Sequence, residues 1–233
     1  MKYQNIFIDL DDTIWNFRTN SKIALEIIYD RYGLSEYYPL FDEYYRVYSE
    51  KNTELWSLYH HNRISKETLI VERFRYPLQR VGAYNDKLVL QLNADYLSVL
   101  SEQGELVPQA RELLDYLKSR SYRLHIISNG FKEVQFKKMK SAGIENYFEK
   151  IILSDEVGVN KPHPDIFRYA LNKTGSSKNT SLMIGDNYDA DILGAMRSGL
   201  DQVYFNPLQK QIPDEFPTYE VQTLSEIQDL SLI

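Results

Sequence analysis

The hydrophobic and polar positions of this chain follow two different patterns. Between residues 15 and 103, apolar side chains recur at helical spacing, as in the stripe of Ile23, Ala24 and Ile27. From residue 104 onward, short apolar runs alternate with amphipathic segments, which is typical of a doubly wound parallel sheet with flanking helices. The first stretch is therefore predicted to be all-helical, and the second to be α/β.

A short apolar run also precedes the helical stretch. Residues 6–8 read Ile-Phe-Ile, and a lone strand at this position needs the later sheet as its partner. We therefore predict an α/β, Rossmann-like core formed by residues 1–14 and 104–233, with an all-helical domain inserted at residues 15–103. Two sequential domains remain the alternative.

Composition and charge narrow the classes of function. The chain has 233 residues, a formal net charge of −6 and no cysteine, which excludes disulfides and thiolate catalysis. Binding to a nucleic acid polymer or to an anionic membrane would call for a basic patch, and the sequence has none. A small phosphorylated metabolite remains a compatible partner. The start lacks the apolar core of a signal peptide, so a cytoplasmic protein is expected.

Polar residues that could take part in catalysis follow the predicted strands. Asp9 and Asp11 follow the first apolar run, Ser-Asn-Gly occupies residues 128–130, and Asp186 ends another run; Lys161 follows a further run after a short loop. In open α/β sheets, functional groups collect at the carboxyl ends of the strands. Clustered carboxylates at such an edge require a cation, and a metal ion together with a lysine would supply it.

In this order, four motifs resemble those of the haloacid dehalogenase (HAD) superfamily. They are Asp-x-Asp-x-Thr at 9–13, Ser-Asn-Gly at 128–130, Lys-Pro-x-Pro-x-x-Phe at 161–167 and Gly-Asp-x-x-x-x-Asp-Ile at 185–192. The helical insertion resembles the C1-type cap of that superfamily. The resemblance covers the whole predicted core.

The resemblance implies a set of catalytic roles. Asp9 would be the nucleophile that forms an aspartyl-phosphate, and Asp11 the general acid and base. Mg²⁺ would be held by the carboxylates of Asp9 and Asp186 and by the backbone carbonyl of Asp11, since hard oxygen ligands suit this ion. Lys161 would add a second positive charge beside the nucleophile.

The same resemblance implies groups around the phosphate. Ser128, Asn129, Gly130 and Lys161 would bind it, with Gly130 allowing close approach. Thr13 would order the loop after the nucleophile. For Asp191 three alternatives stay open, namely orienting Lys161, orienting a metal-bound water, or capping the following helix.

The predicted reaction follows from Asp11, because dehalogenases of this superfamily lack an acid at that position. We expect a phosphomonoester hydrolase. The residues from 128 to 131 and from 155 to 162 are similar to those of the pyrimidine 5′-nucleotidase branch, which suggests (deoxy)pyrimidine nucleoside 5′-monophosphates. A sugar-phosphate or generalist phosphatase, a 2-haloacid dehalogenase and a catalytically silent phosphate-binding scaffold are the alternatives. The protein is expected to be a monomer or a homodimer.

Aromatic residues raise the question of specificity. Trp15 and Phe17 follow the nucleophile closely and are candidates for the leaving-group pocket, with simple packing as the alternative. Several tyrosines between residues 37 and 59 could stack on a nucleobase, although packing between helices is the plainer interpretation. The four histidines carry no metal-site pattern.

Overall fold

The computed structural model describes residues 2–212 and 215–230, and the chain divides into two compact units. The sheet unit consists of Met1–Phe17 and Gly104–Ile233, and the helical unit consists of Arg18–Gln103. The predicted boundary lay before Trp15, whereas the structure keeps Trp15 with the sheet unit. The physical reason is that Trp15 forms isolated β-bridges with Asp11 and Leu106.

The helical unit contains four long helices joined by short turns. They are α1 (Phe17–Arg31), α2 (Phe41–His60), α3 (Lys66–Arg80) and α4 (Asp86–Ser101). Ser65 caps α3, as its side chain accepts a hydrogen bond from the Thr68 N–H at 3.2 Å. Pro77 lies inside α3, although a proline is typical of the end or a kink of a helix, and α3 continues to Arg80. Pro77 is buried within the helix, where packing outweighs the cost of a missing N–H.

Tyrosines form much of the interior of the helical unit. Tyr44 and Tyr48 are buried, and the Tyr48 ring centroid lies 5.1 Å from that of Phe74 and 5.8 Å from that of Tyr96. Tyr38 is buried as well, and its hydroxyl donates to the Pro77 carbonyl at 2.7 Å. For Tyr38, Tyr44 and Tyr48, packing between helices therefore fits the structure better than stacking on a ligand.

Among the described residues, six parallel strands form the sheet of the other unit, in the order β3-β2-β1-β4-β5-β6. The strands are β1 (Asn5–Ile8), β2 (Arg123–Ser128), β3 (Lys150–Leu153), β4 (Ser181–Gly185), β5 (Asp201–Phe205) and β6 (Tyr219–Val221). Ile8 at the end of β1 is level with Ile126 in β2 and Ile184 in β4. The strand order reverses beside β1, which is the point where ligands bind in such sheets. The predicted α/β fold class is confirmed.

Helices cover this sheet. They are α5 (Ala110–Ser119), α6 (Lys132–Ser141), α7 (Ser154–Val157), α8 (Pro164–Thr174), α9 (Gly194–Arg197) and α10 (Glu226–Asp229). Every residue of β1 and β4 is buried, and since side chains alternate along a strand, both faces of the sheet are covered there. Phe7 and Met183 pack against Phe167 of α8 on one face. In the part of the chain that is described, no helix is long and apolar enough to cross a membrane.

His125 in β2 is expected to make the stability of the fold depend on pH. Its ring has no exposed surface and packs against Phe7, with ring centroids 5.2 Å apart. Burial, together with the nearby charge of Arg123, lowers the pKa of His125 to about 4, whereas the ordinary value is 6.5. The unfolded chain binds a proton between these values and the folded chain does not. The free energy of unfolding should therefore decrease as the pH falls through this range, by up to about 1.4 kcal/mol per pH unit.

Thermal unfolding of the wild type and of His125→Leu from about pH 7 to about pH 5 checks this expectation. The Tm of the wild type should fall more steeply with acid than the Tm of the variant, because leucine does not titrate. Parallel slopes would show that His125 is not the group responsible.

Candidate active site

Asp9 and Lys161 form the centre of the site at the carboxyl edge of the sheet. Asp9 follows β1 directly, and its N–H donates to the Ile184 carbonyl of β4 at 2.9 Å. The Lys161 Nζ donates to Asp9 Oδ1 at 2.6 Å, to Asp191 Oδ1 at 2.6 Å and to the Ile127 carbonyl at 2.7 Å. An ammonium group has three N–H donors, so all donors of Lys161 are used within the protein. A contact of Lys161 with phosphate stays a prediction, in which the ammonium would contribute its charge rather than a free N–H donor.

Asn129, which was predicted to bind phosphate, uses its side chain to hold the backbone of Lys161. Its Nδ2 donates to the Lys161 carbonyl at 2.9 Å, and its Oδ1 accepts from the Lys161 N–H at 2.8 Å. This pair of bonds ties the loop between α7 and α8 to the end of β2. The side-chain amide thus positions the lysine, and a phosphate contact through the Asn129 backbone N–H stays a prediction.

Asp191 pairs with the lysine from a third element. It lies on a helical turn after β4, where Oδ1 accepts from Lys161 and Oδ2 accepts from the Asn187 N–H at 3.1 Å. A side chain at Gly185 would overlap the Asp191 carboxylate, which explains why this position lacks a Cβ. Of the three predicted alternatives for Asp191, these contacts correspond to orienting Lys161.

Thr13 connects the loop after β1 to the end of β4. Its hydroxyl donates to Asp186 Oδ1 at 3.2 Å and accepts from the Asp186 N–H at 3.1 Å. Both bonds fix the orientation of Asp186, which was predicted as a metal ligand. Thr13 was predicted to order its own loop, which stays a prediction; its side chain contacts the residue at the neighbouring strand end.

Carboxylates outnumber cations in this cluster. One oxygen from each of Asp9, Asp186 and Asp191 lies within 4.8 Å of the other two. Burial raises the pKa of Asp9 to about 7, with Lys161 opposing the shift and Asp191 and Asp11 adding to it. Burial and the charges of Asp9, Asp191 and Asp12 hold the pKa of Asp186 well above its usual range. Although burial disfavours the charged form of Lys161, Asp191 and Asp9 raise its pKa above the ordinary value.

A set of buried carboxylate oxygens with surplus negative charge is the donor set that a hard divalent cation prefers. Asp191 has both oxygens engaged by protein donors, which leaves Asp9 and Asp186 as the carboxylates best placed for a metal. The residues present thus fit the predicted metal site. A cation would also relieve the mutual repulsion that raises the carboxylate pKa values.

Asp11 lies beside α6 and is held by two residues that the sequence analysis did not single out. Lys138 Nζ donates to Asp11 Oδ1 at 2.8 Å, and Gln135 Nε2 donates to Asp11 Oδ2 at 2.8 Å. The sequence contained no signal for them, because Lys138 is one of several lysines in a helix of mixed polar residues. Only the packing of α6 shows that its side chain is buried.

Ser128 and Gly130 adjoin the same pair of residues. The Ser128 Oγ accepts from the Gly130 N–H at 3.1 Å and from Gln135 Nε2 at 2.7 Å. With two donors directed at this oxygen, the hydroxyl proton is available for an external acceptor such as a phosphate oxygen. Gly130 was predicted to allow close approach of phosphate; in the structure, a Cβ there would overlap the Gln135 side-chain amide.

Trp15 and Phe17 lie against the lysine that binds Asp11. The Lys138 Nζ is 4.4 Å from the centroid of the Trp15 ring and 5.5 Å from that of Phe17. Trp15 is fully buried and Phe17 is partly buried. The burial of Trp15 favours packing, and a role of either residue in the leaving-group pocket stays a prediction.

Comparison with known proteins identifies the family of this chain. Residues 3–199 match the model of the haloacid dehalogenase-like hydrolase family. Pyrimidine 5′-nucleotidase YjjG of Escherichia coli K12 is 31% identical over 99% of this chain and 98% of its own. A glyceraldehyde 3-phosphate phosphatase of Methanothermobacter thermautotrophicus is 32% identical over 86% of this chain and 84% of its own. The structure of the HAD-hydrolase YfnB of Bacillus subtilis bound to magnesium superposes with a TM-score of 0.90 at 28% identity, over 100% of both chains. The chain belongs to the haloacid dehalogenase-like hydrolases.

Proposed function

We propose that this protein is a Mg²⁺-dependent phosphomonoester hydrolase that acts through an aspartyl-phosphate on Asp9. The observation that carries the proposal is a pair of carboxylates with different partners. Asp9 is ion-paired with the buried Lys161, and Asp11, two residues later, is held separately by α6. An alkoxide leaving group must receive a proton, whereas a halide leaves without one. The second carboxylate therefore favours phosphoester hydrolysis over dehalogenation.

In the first half-reaction, an Asp9 carboxylate oxygen attacks phosphorus while the bond from phosphorus to the leaving oxygen breaks. The protonated Asp11 carboxyl gives its proton to that oxygen, so the alcohol leaves and Asp9 carries the phosphoryl group. Lys161 keeps Asp9 in place and favours its ionised form. The free hydroxyl proton of Ser128 is available to a phosphoryl oxygen.

In the second half-reaction, the ionised Asp11 takes a proton from water as the water oxygen attacks phosphorus. The bond between phosphorus and the Asp9 oxygen breaks, and inorganic phosphate leaves. Asp9 is again a carboxylate and Asp11 is again protonated, so both groups return to their starting states. The fixed orientation of Asp11 between Lys138 and Gln135 suits a group that must exchange a proton twice at one place.

Mg²⁺ would be held by the carboxylates of Asp9 and Asp186 and by the backbone carbonyl of Asp11. When bound, it supplies positive charge that neutralises the phosphoryl oxygens. The magnesium-bound state of the relative YfnB supports the choice of this ion.

Thr13 gives this metal site a specific test. Replacing Thr13 with valine removes both hydrogen bonds to Asp186 and should weaken Mg²⁺ binding by about 10- to 100-fold, as the loss of an outer partner of a ligand does. Titration calorimetry with Mg²⁺ measures the change, and Thr13→Ser, which keeps the hydroxyl, should bind nearly as the wild type does. Unaltered affinity in Thr13→Val would argue against Asp186 as a ligand.

For the substrate we propose (deoxy)pyrimidine nucleoside 5′-monophosphates as the first candidates. A pyrimidine 5′-nucleotidase aligns over nearly the whole chain, which supports this choice. The glyceraldehyde 3-phosphate phosphatase aligns over a smaller part and is the observation that favours a second candidate class, the phosphates of small sugars.

The test measures phosphate release from nucleoside monophosphates, sugar phosphates and an aryl phosphate, with Mg²⁺ or with EDTA. We expect metal-dependent turnover with a preference for pyrimidine nucleotides. Turnover of sugar phosphates alone would keep the mechanism and reject the nucleotide class. Halide release from a 2-haloacid without phosphate release would reject the phosphatase, and Mg²⁺ binding without any turnover would favour the scaffold.

A further inference from the structure

Two polar residues of α6 are buried on the same face of the helix. Gln135 has no exposed surface, and Lys138 is 3% exposed. Residues three apart in a helix are neighbours, so the two side chains point the same way. A buried ammonium and a buried amide are costly unless they find hydrogen-bond partners. Their partners therefore indicate what this face of α6 is for.

Both side chains bind the Asp11 carboxylate. Lys138 Nζ contacts Oδ1 and Gln135 Nε2 contacts Oδ2, each at 2.8 Å. Donors from two side chains, one on each oxygen, fix the rotation of the carboxylate about its bond to the rest of the side chain. Each oxygen accepts one such bond and keeps a lone pair for a further proton. The carboxylate is thus held without being blocked.

The lysine itself is held in place by aromatic rings. Its Nζ lies 4.4 Å from the Trp15 ring centroid, and its side chain is 4% exposed. A cation over the face of an indole is stabilised by the ring, more strongly where water is excluded. Because Lys138 is enclosed between Trp15 and Asp11, its charge is directed at the carboxylate and not at bulk solvent.

Gln135 also links Asp11 to the predicted phosphate site. Its Nε2 donates to Ser128 Oγ at 2.7 Å as well as to Asp11. Ionised Asp11 oxygens only accept, so the amide nitrogen and not the amide oxygen must face them. One side chain thereby sets the spacing between the proton-transferring group and the hydroxyl beside the phosphoryl position.

We propose that Lys138 and Gln135 are positioning residues that hold Asp11 in one orientation for proton transfer to the leaving oxygen. The inference rests on the proposed phosphatase function. A displacement of about 1 Å at a reacting group costs about 100-fold in rate, and general acid catalysis contributes about 100- to 10,000-fold. The decrease in kcat/KM on loss of Lys138 should therefore be larger for substrates whose leaving group needs a proton more.

The test compares kcat/KM over a series of phosphate monoesters, from dinitrophenyl phosphate to an alkyl phosphate. Lys138→Met should lose about 100-fold on the alkyl ester and less than about 3-fold on the dinitrophenyl ester, whose leaving anion needs no proton. Lys137→Met, at an exposed position of the same helix, is the matched control and should match the wild type on both. Lys138→Arg should recover part of the loss. If Lys138→Met does not fold, Gln135→Leu carries the same expectation.

A double-mutant cycle with Asp11→Asn distinguishes action through Asp11 from direct contact with substrate. On an aryl phosphate that Asp11→Asn still turns over, adding Lys138→Met should cause no further loss. The inference would be overturned if the losses in kcat/KM of the two single variants added up in the double variant. An equal loss on every ester would overturn it as well. Calorimetry should show unchanged Mg²⁺ affinity in Lys138→Met, and a large change there would also overturn it. A wild type without any turnover would refute the proposed function itself, which is a different outcome.

Discussion

Asp9→Asn is expected to abolish turnover, with kcat lower by a factor on the order of 10,000 or more, as when other enzymes lose their nucleophile. Asparagine has nearly the shape of aspartate, so the strand end and the loop should keep their structure. Its amide carries no charge and is a far weaker nucleophile than a carboxylate. The loss should therefore appear in kcat on every phosphomonoester, whatever its leaving group.

Two measurements make this expectation specific. Labelled phosphate from substrate should be retained on the wild-type protein after rapid acid quenching and should be absent from Asp9→Asn. Asp229→Asn, an exposed aspartate in α10, serves as the control and should keep wild-type activity. A variant at Asp9 with full activity, or with retained label, would rule out Asp9 as the nucleophile.

Lys161→Met is expected to lose both activity and stability. Lys161 is 2% exposed, and its ammonium is 2.6 Å from carboxylate oxygens of both Asp9 and Asp191. Without it, two buried carboxylates lack their shared counter-charge, and breaking a buried pair in this way costs about 3–5 kcal/mol of unfolding free energy. Lys161 also opposes the rise in the pKa of Asp9, so its loss favours the protonated, non-nucleophilic form.

Urea unfolding and steady-state kinetics separate the two effects. Lys161→Met/Asp191→Asn removes one carboxylate together with the lysine and should recover much of the stability without recovering turnover. Lys150→Met, at an exposed position in β3, removes the same charge and should change the unfolding free energy by less than about 0.5 kcal/mol. Recovery of turnover in the double variant would mean that the lysine serves only the fold.

The pattern of hydrophobic and polar residues along the chain was sufficient to predict the architecture. Helical spacing in residues 15–103 and short apolar runs elsewhere predicted a parallel sheet and a helical part, because side-chain periodicity reflects which face of each element is buried. The boundary at Trp15 could not be read in this way. Its bridge to Leu106 pairs it with a segment that is distant in the sequence, and local periodicity does not show such a pairing.

Pro77 and Gly130 are two further positions where the local sequence does not show which neighbour matters. Pro77 lacks an N–H, which is typical of the end or a kink of a helix, and α3 continues past it to Arg80 within the packed helical unit. Gly130 was predicted to allow close approach of phosphate, which stays a prediction, and its lack of a Cβ also makes room for Gln135, five residues away. In both cases the deciding neighbour is set by tertiary packing.

The sequence by itself determined the fold class and was enough to propose the reactive groups. The motifs near the strand ends contain Asp9, Asp11, Lys161 and Asp186. In a parallel sheet these ends lie at one edge, independently of the loop conformations. Only the tertiary structure decided how these groups are held. The Asn129 side chain forms hydrogen bonds with the Lys161 backbone, and the Thr13 hydroxyl forms them with Asp186. Lys138 donates to Asp11, which is 127 positions away in the sequence. Such contacts depend on how helices and loops pack onto the sheet, and one lysine in a lysine-rich helix gives no local sign of which side chain becomes buried.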